Sequence, residues 1–263
     1  MSIGYSDNKI EILKLVDIEK NYGSVQALKN INCEIYKNEI VGLVGDNGAG
    51  KTTLIKIIAG NISPSAGKLF LNGKEITFRS PMEAKKYGIE TVYQDLSLCE
   101  NLDSAANLFI GREIYKKFLG INILQKREME KRALQIMSKI GINVPSMKEK
   151  VEYLSGGQRQ SVALGRFVEW GENLILLDEP TAALGVQETK KVLDLVLKVR
   201  KEKLVSMILI SHNLQQIFEI VDRIIVLRHG EIAGIKIKNE TNPDEIVSLI
   251  TGADLINKPV VGL

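Results

Sequence analysis

Residues 45–52 read Gly-Asp-Asn-Gly-Ala-Gly-Lys-Thr, a fit to GxxxxGK[ST], and they lie between two stretches of different character. Before them, Glu39-Ile40-Val41-Gly42-Leu43-Val44 is the short apolar run of a strand buried on both faces. After them, Thr52–Ala59 has helical spacing. Glycines let backbone N–H groups curl around phosphate oxygens, and a helix N-terminus adds positive potential. In that setting Lys51 can reach the β and γ phosphates, and Thr52 can offer its hydroxyl to Mg2+. Strand, glycine loop and helix in this order belong to an α/β sheet.

Two further segments carry chemistry. In Leu174-Ile175-Leu176-Leu177-Asp178-Glu179, four apolar residues put a strand in the sheet interior. That strand delivers two carboxylates at its C-terminal end, where α/β sheets bind ligands. Asp178 is placed to hold Mg2+ through water, and Glu179 to orient or deprotonate an attacking water. The other segment, Leu154-Ser155-Gly156-Gly157-Gln158, precedes a helical run from Arg159 to Glu169. Two glycines and a serine at a helix start make a second anion-binding place. One nucleotide does not need two phosphate cradles in one chain, whereas a site shared between two chains uses both.

The rest of the chain supplies the scaffold. Ile12, Lys14, Val16 and Ile18 alternate onto one face of a strand, and Ile31, Cys33 and Ile35 onto a face of another. Asn72-Gly73, between Lys68–Leu71 and Lys74–Phe78, suits a type I′ hairpin turn. From Leu102 to Arg166 there is little strand signal. There Met129, Ala133, Ile136, Met137 and Ile140 follow helical spacing toward a C-cap at Gly141. Lys126, Arg127, Lys131 and Arg132 form the opposite, solvated face. Strands at Leu174–Leu177, Leu204–Ile210 and Ile224–Leu227 alternate with helices at Val192–Val199 and Leu214–Val221, the pattern of a largely parallel sheet. Asn242-Pro243 and Gly252 frame a last short helix.

Composition narrows the classes. Of 263 residues 44% are hydrophobic and 25% charged, which is globular. A net charge of +3 is too small to make nucleic acid the main partner. No apolar run is long enough to cross a bilayer, and Met1–Ile10 lacks a signal peptide's apolar core. Cys33 and Cys99 have apolar neighbours and read as core fillers, with no disulfide framework and no zinc site. The expectation is a soluble intracellular protein.

With LSGGQ at 154–158 and the other motifs in order, the sequence resembles the nucleotide-binding subunit of an ATP-binding cassette (ABC) transporter along Ile12–Gly252. Tyr22 resembles the aromatic that stacks on adenine. Gln94 resembles the glutamine that touches Mg2+ and couples to the membrane partner, and His212 the histidine at the γ-phosphate. The resemblance implies an α/β P-loop NTPase core, mostly a parallel sheet with flanking helices. To this it adds an N-terminal antiparallel β subdomain and a helical insertion carrying the LSGGQ signature. The expected layout is one ABC ATPase domain over residues 11–252. Residues 11–95 with 170–240 form the core and β subdomain, 96–169 the helical subdomain, and 253–263 a C-terminal tail.

ATP and Mg2+ are the implied cofactors. ATP would be held by Tyr22, Gly45, Asp46, Asn47, Gly48, Ala49, Gly50, Lys51, Thr52, Thr53 and Gln94 of one chain, with Ser155, Gly156, Gly157 and Gln158 of another. Thr52, Gln94 and Asp178 are the metal ligands, and Glu179, His212 and Lys51 the catalytic groups. The implied partners are a second ATP-binding subunit in a homodimer, an integral membrane permease and, indirectly, an extracellular or periplasmic sugar-binding protein. The implied location is the cytoplasmic face of a prokaryotic membrane.

A finer likeness is to single-cassette importers of ribose, xylose or fructose. It rests on Ser80-Pro81-Met82-Glu83-Ala84, Gly88–Gln94, Asn107–Glu113 and Asp178–Val186, and on Asp46 where many cassettes have proline. One departure stands out: Leu184-Gly185 occupies the place of a Leu-Asp pair whose aspartate contacts the partner subunit. Either the two sites of a dimer communicate differently, or the contact is made otherwise. The rival functions are a soluble cassette ATPase acting on ribosomes or nucleic acid, and an importer subunit for another small solute.

Overall fold

The structure, a computed structural model, describes residues 9–93, 98–139, 146–182 and 184–253. Gln94, Ile140, Gly141, Ala183 and residues 254–263 lie outside the described residues, so the readings made there go no further. The first part of the chain runs β1 (Glu11–Tyr22), β2 (Val25–Tyr36), β3 (Ile40–Val44), α1 (Lys51–Ile58), β4 (Ala66–Leu71), β5 (Lys74–Ile76), α2 (Pro81–Lys86) and β6 (Ile89–Val92). The middle holds α3 (Ser104–Phe109), β7 (Tyr115–Phe118), β8 (Ile121–Leu124), α4 (Lys126–Lys139) and α5 (Gly156–Trp170). The last part runs β9 (Leu174–Asp178), α6 (Val186–Lys203), β10 (Ser206–Ile210), α7 (Leu214–Ile220), β11 (Arg223–Arg228), β12 (Glu231–Ile237) and α8 (Pro243–Thr251).

Six strands in the order β12-β11-β3-β10-β9-β6 make the main sheet, parallel except for β12 at one edge. Every residue of β3, β9 and β10 is buried, as continuous apolar runs require. Alternation sends Leu174 and Leu176 into one apolar cluster, and Ile175 and Leu177 into a second on the other face. Each such side chain contributes about 1.5–3 kcal/mol on burial. The first cluster is closed by an antiparallel sheet, β2-β1-β4-β5, together with α1; the second by α5, α6 and α7. A third cluster joins α3, α4 and α5 through Phe109, Met129, Ile136 and Val162. The mostly parallel core, the antiparallel sheet and the helical insertion are as expected.

Several local expectations need correction. The buried residues of β1 include Leu13, Leu15 and Ile18, with Ile12, while Lys14 and Val16 are only half-buried. Asp17 adopts a left-handed φ of 52°, and the register with β2 shifts between Leu15 and Ile18. That bulge moves the buried face from odd to even numbers, and Lys14 instead meets Glu34 at 2.7 Å. Residues 115–124, read as strand-poor, form the two-stranded hairpin β7–β8. Cys33 is buried as expected, and its thiol is pushed up to about 12 by burial, but Cys99 is exposed and fills no core. Leu204 is not in a strand; it ends α6 with a left-handed φ of 53°. The Asn72-Gly73 turn has φ of 50° and 74°, as type I′ needs. Asn242 and Gly252 cap α8 as expected.

One buried charge ties the edge strand β6 to the helical part. Glu90 is 1% exposed, with Arg112 Nη2 at 3.3 Å and Lys85 Nζ at 3.6 Å. Burial pushes its carboxyl up, and Lys85, Arg112 and Arg166 oppose the shift. Arg112 also lies over the Trp170 ring, which meets Phe109 edge-on. Replacing Glu90 with alanine strands these cations and is expected to cost about 2–3 kcal/mol in urea unfolding, less than a fully dry pair because Lys85 and Arg112 keep some water.

Candidate functional site

The glycine loop leaves β3 at its C-terminal end and turns into α1. Gly45 has φ 151°, and a Cβ there would come within 2.2 Å of the Leu227 carbonyl oxygen. Gly50, the N-cap of α1, has φ 104°, and a Cβ would strike Leu28 and the Ala27 carbonyl at 2.7–2.8 Å. Side chains are therefore excluded by backbone on both sides of the loop, which is what a close-fitting phosphate cradle needs. Asp46, Asn47, Gly48 and Thr52 are exposed, Thr53 is half-buried and Ala49 is buried.

Lys51 is 7% exposed and donates to the carbonyls of Gly45 at 2.6 Å and Asp46 at 2.9 Å. Burial lowers its pKa, and Glu179, Asp46 and Asp178 act the other way, so these groups share one electrostatic neighbourhood. Asp178 ends β9, is buried, and pairs in register with Ile210 at the end of β10. Glu179 follows in a left-handed conformation, φ 53°, with its N–H donating to the Ile210 carbonyl at 3.1 Å. A carboxylate residue held there is strained, a condition that gathers at functional positions. Its Oε1 lies 3.1 Å from Nε2 of His212, an ion-pair distance without hydrogen-bond alignment. Burial raises the Glu179 pKa, and His212 opposes this.

The ends of β3, β9 and β10 thus bring Lys51, Asp178, Glu179 and His212 together. Tyr22 stands at the end of β1 in the β1–β2 hairpin, 48% exposed, with the Lys20 ammonium 5.3 Å from its ring centroid. The same hairpin reaches the loop through Ala27 and Leu28, as the packing at Gly50 requires. Gln94 is the one candidate outside the described residues; Val92 and Tyr93 lead up to it from β6.

Residues 155–158 stand apart from this group. Ser155 caps α5 in a full capping box: its backbone N–H donates to Gln158 Oε1 at 2.9 Å, and its Oγ accepts from the Gln158 N–H at 3.3 Å. Gly156 and Gly157 follow at the first helical positions, and a Cβ on either would meet no atom within 4 Å. Nothing among the described residues requires glycine there. Further along α5, Gln160 donates to the Pro180 carbonyl, linking that helix to the segment after Glu179.

One supporting residue left no mark in the sequence. Gln216 Oε1 accepts from Thr181 at 2.7 Å and from Ser211 at 3.2 Å, tying the segment after Glu179 to the residue before His212. No motif or spacing marks Gln216; only the packing of α7 beside these two loops reveals it. Gly185, at the unusual Leu184-Gly185 pair, is the N-cap of α6 and provides no side-chain cap.

Thr52 and Asp178 offer hard oxygen donors suited to Mg2+, which takes one or two protein oxygens and completes its shell with water and phosphate. Among the described residues no group of three or more His, Cys, Asp or Glu makes an all-protein metal cage. No helix among the described residues is long and apolar enough to cross a membrane.

A family profile described as ABC transporter matches residues 28–182. The chain is 44% identical over 241 residues to the xylose/arabinose import ATP-binding protein XylG of Sulfolobus acidocaldarius, covering 92% of this chain and 94% of that protein. It is 44% identical over 246 residues to the fructose import ATP-binding protein FrcA of Rhizobium meliloti, again covering 92% and 94%. Among solved structures, the ATP-binding cassette MJ0796, dimeric in a post-hydrolysis state with ADP and Pi, superposes with a TM-score of 0.75 at 27% identity, covering 86% of this chain and 99% of that one.

Proposed function

The chain belongs to the ABC transporter family, and we propose that it is the ATP-hydrolysing subunit of a prokaryotic membrane importer whose cargo is a monosaccharide. The cargo class rests on likeness to the xylose/arabinose and fructose import proteins. Two copies would close head to tail with two-fold symmetry, each nucleotide lying between one chain's glycine loop and the other chain's Ser155-Gly156-Gly157. The observation that carries this reading is the division just described. Lys51, Asp178, Glu179 and His212 converge, while Gly156 and Gly157 start a helix bare of packing. An anion-binding helix start that the described residues leave uncovered suits a phosphate brought by a partner.

Within that site the backbone of residues 45–52 binds the phosphates, and Lys51 offsets charge on the β and γ groups. Tyr22 stacks on the base. Glu179 orients the attacking water and takes its proton at a carboxylate oxygen, and His212, with Nε2 3.1 Å from that carboxylate, faces the γ-phosphate. Thr52, Asp178 and Gln94 would hold Mg2+, which supplies charge neutralisation when bound. Residues 96–169 act as the helical subdomain that passes closure to the permease, and residues 11–95 with 170–240 as core and β subdomain.

Two tests follow. A base must be ionised to accept a proton, and burial disfavours the ionised form of Glu179. The acid limb of kcat is therefore expected above the usual 4.5, so that turnover declines with falling pH while ATP binding persists. An acid limb at or below that value would remove Glu179 as the base. Affinity purification from native membranes after mild cross-linking should recover a polytopic permease. Recovery with ribosomes, or without any membrane protein, would leave an ATPase and end the transport reading.

A further inference from the structure

The β7–β8 hairpin is part of neither large sheet, and among the described residues its strands pair only with each other. It is rooted by Ile114, packed on the helical cluster, whose carbonyl accepts from the Gln125 N–H at 2.8 Å. Beyond that root every residue is exposed, including Phe118 at 60%, Leu119 at 86% and Ile121 at 69%. Cross-strand partners share a face, so the register puts Phe118 with Ile121 at the tip and Ile123 with Lys116 behind them. The other face carries Lys117 opposite Asn122. The result is an apolar tip with a lysine on each face a step behind it. From residue 115 to residue 127 the chain has Lys116, Lys117, Lys126 and Arg127 and no acidic residue.

The turn itself departs from what backbone preference selects. Two other two-residue hairpin turns among the described residues use Asn72-Gly73 and His229-Gly230 for their positive φ values, whereas this one uses Leu119 at φ 47° and Gly120 at φ 84°. A bulky residue in the left-handed region is disfavoured where asparagine is tolerated. The strain is thus borne by an apolar side chain held out in water at the extreme tip, which points to function over folding.

The geometry points to this hairpin as a prong that enters the interface of an anionic membrane. Phe118, Leu119 and Ile121 would lie at the boundary between headgroups and acyl chains, and Lys116 and Lys117 against the anionic headgroups. A protein groove would engage one face of the ribbon. An apolar tip collared by cations on both faces, in a segment without acids, is instead complementary to a negatively charged surface entered end-on. The inference adds to the transport reading and stands apart from it, because none of these residues belongs to the nucleotide site.

The test is sedimentation of the full chain with vesicles of phosphatidylcholine alone and of phosphatidylcholine mixed with phosphatidylglycerol. Binding is expected only to the anionic vesicles and should weaken with salt. Lys116→Gln and Lys117→Gln should each reduce it roughly fivefold. Leu119→Asn should reduce it while leaving the melting temperature equal or higher, since asparagine relieves the turn. ATP binding and turnover in solution should be unchanged in all three, which separates failure of this inference from failure of the ATPase assignment. Equal binding to both vesicle types, or none to either, would overturn it. If the Leu119→Asn chain kept its vesicle binding but lost a co-purifying membrane protein, the prong would belong to a protein partner and the lipid assignment would fall.

Discussion

Glu179→Gln is expected to lower ATP turnover by roughly 10²–10⁴-fold, the span of general acid–base catalysis, while ATP still binds and an ATP-bound dimer accumulates. Glutamine keeps the size and backbone of the residue, so the left-handed φ of 53° and the N–H bond to Ile210 persist. What is lost is the ability to accept a proton. The stability effect runs the other way. Burial raises the carboxyl's pKa in the folded chain, so this group weakens the fold as pH rises from the usual 4.5 through the raised value. The glutamine chain lacks that effect. It should melt at or above the wild-type temperature at neutral pH, and the difference should close as pH falls below 4.5. Phosphate-release assays, size exclusion with ATP and melts at two pH values read these outcomes. Normal hydrolysis in the variant would remove Glu179 as the base, and a lower neutral melting temperature would mean its carboxylate is stabilised by contacts unlike those described.

The parts of this fold that the sequence makes legible are those fixed by local chemistry. The short apolar runs read at 39–44, 174–177 and 204–210 are interior strands, the last beginning at Ser206, and Asn72-Gly73 and Asn242-Pro243 are turn and cap residues as read. Asp17 was not legible, because a bulge depends on pairing with β2; here it shifts the register between Leu15 and Ile18 and puts Ile18 on the buried face. The β7–β8 hairpin was missed for a related reason. With no buried face, it has no apolar alternation to impose, and its turn carries leucine where asparagine would have announced it. At the site, the glycine loop and the two carboxylates were readable because phosphate and metal chemistry constrain residue type and spacing together. The closeness of Glu179 and His212 came from the order of motifs, and Gln216 from neither, since a glutamine bridging two loops has no sequence pattern.

Gly157→Glu separates a shared site from a self-contained one, because its effects on the fold and on turnover should have opposite signs. A Cβ at Gly157 meets nothing within 4 Å, so the side chain needs no repacking. Losing a helical glycine and placing an acid in the first turn of α5 should each favour the helix, the latter by about 0.3–1 kcal/mol. The variant should therefore melt no lower than the parent and bind ATP normally through its own glycine loop. In a closed pair, however, the new carboxylate would face the partner's phosphates, and turnover should drop by at least roughly 10²-fold, as when a transition-state donor is removed. Lys51→Ala should also be inactive, through the other half of the site. Mixed in equal amounts, the two variants should recover about a quarter of wild-type turnover, because random pairing makes half the dimers mixed, each with one intact site and one doubly broken. Such recovery would also show that one site can work without the other in a chain carrying Gly185 in place of the usual aspartate. If Gly157→Glu alone hydrolyses ATP at the parental rate, the complete site lies within one chain, and the bare glycines at the start of α5 must serve something else.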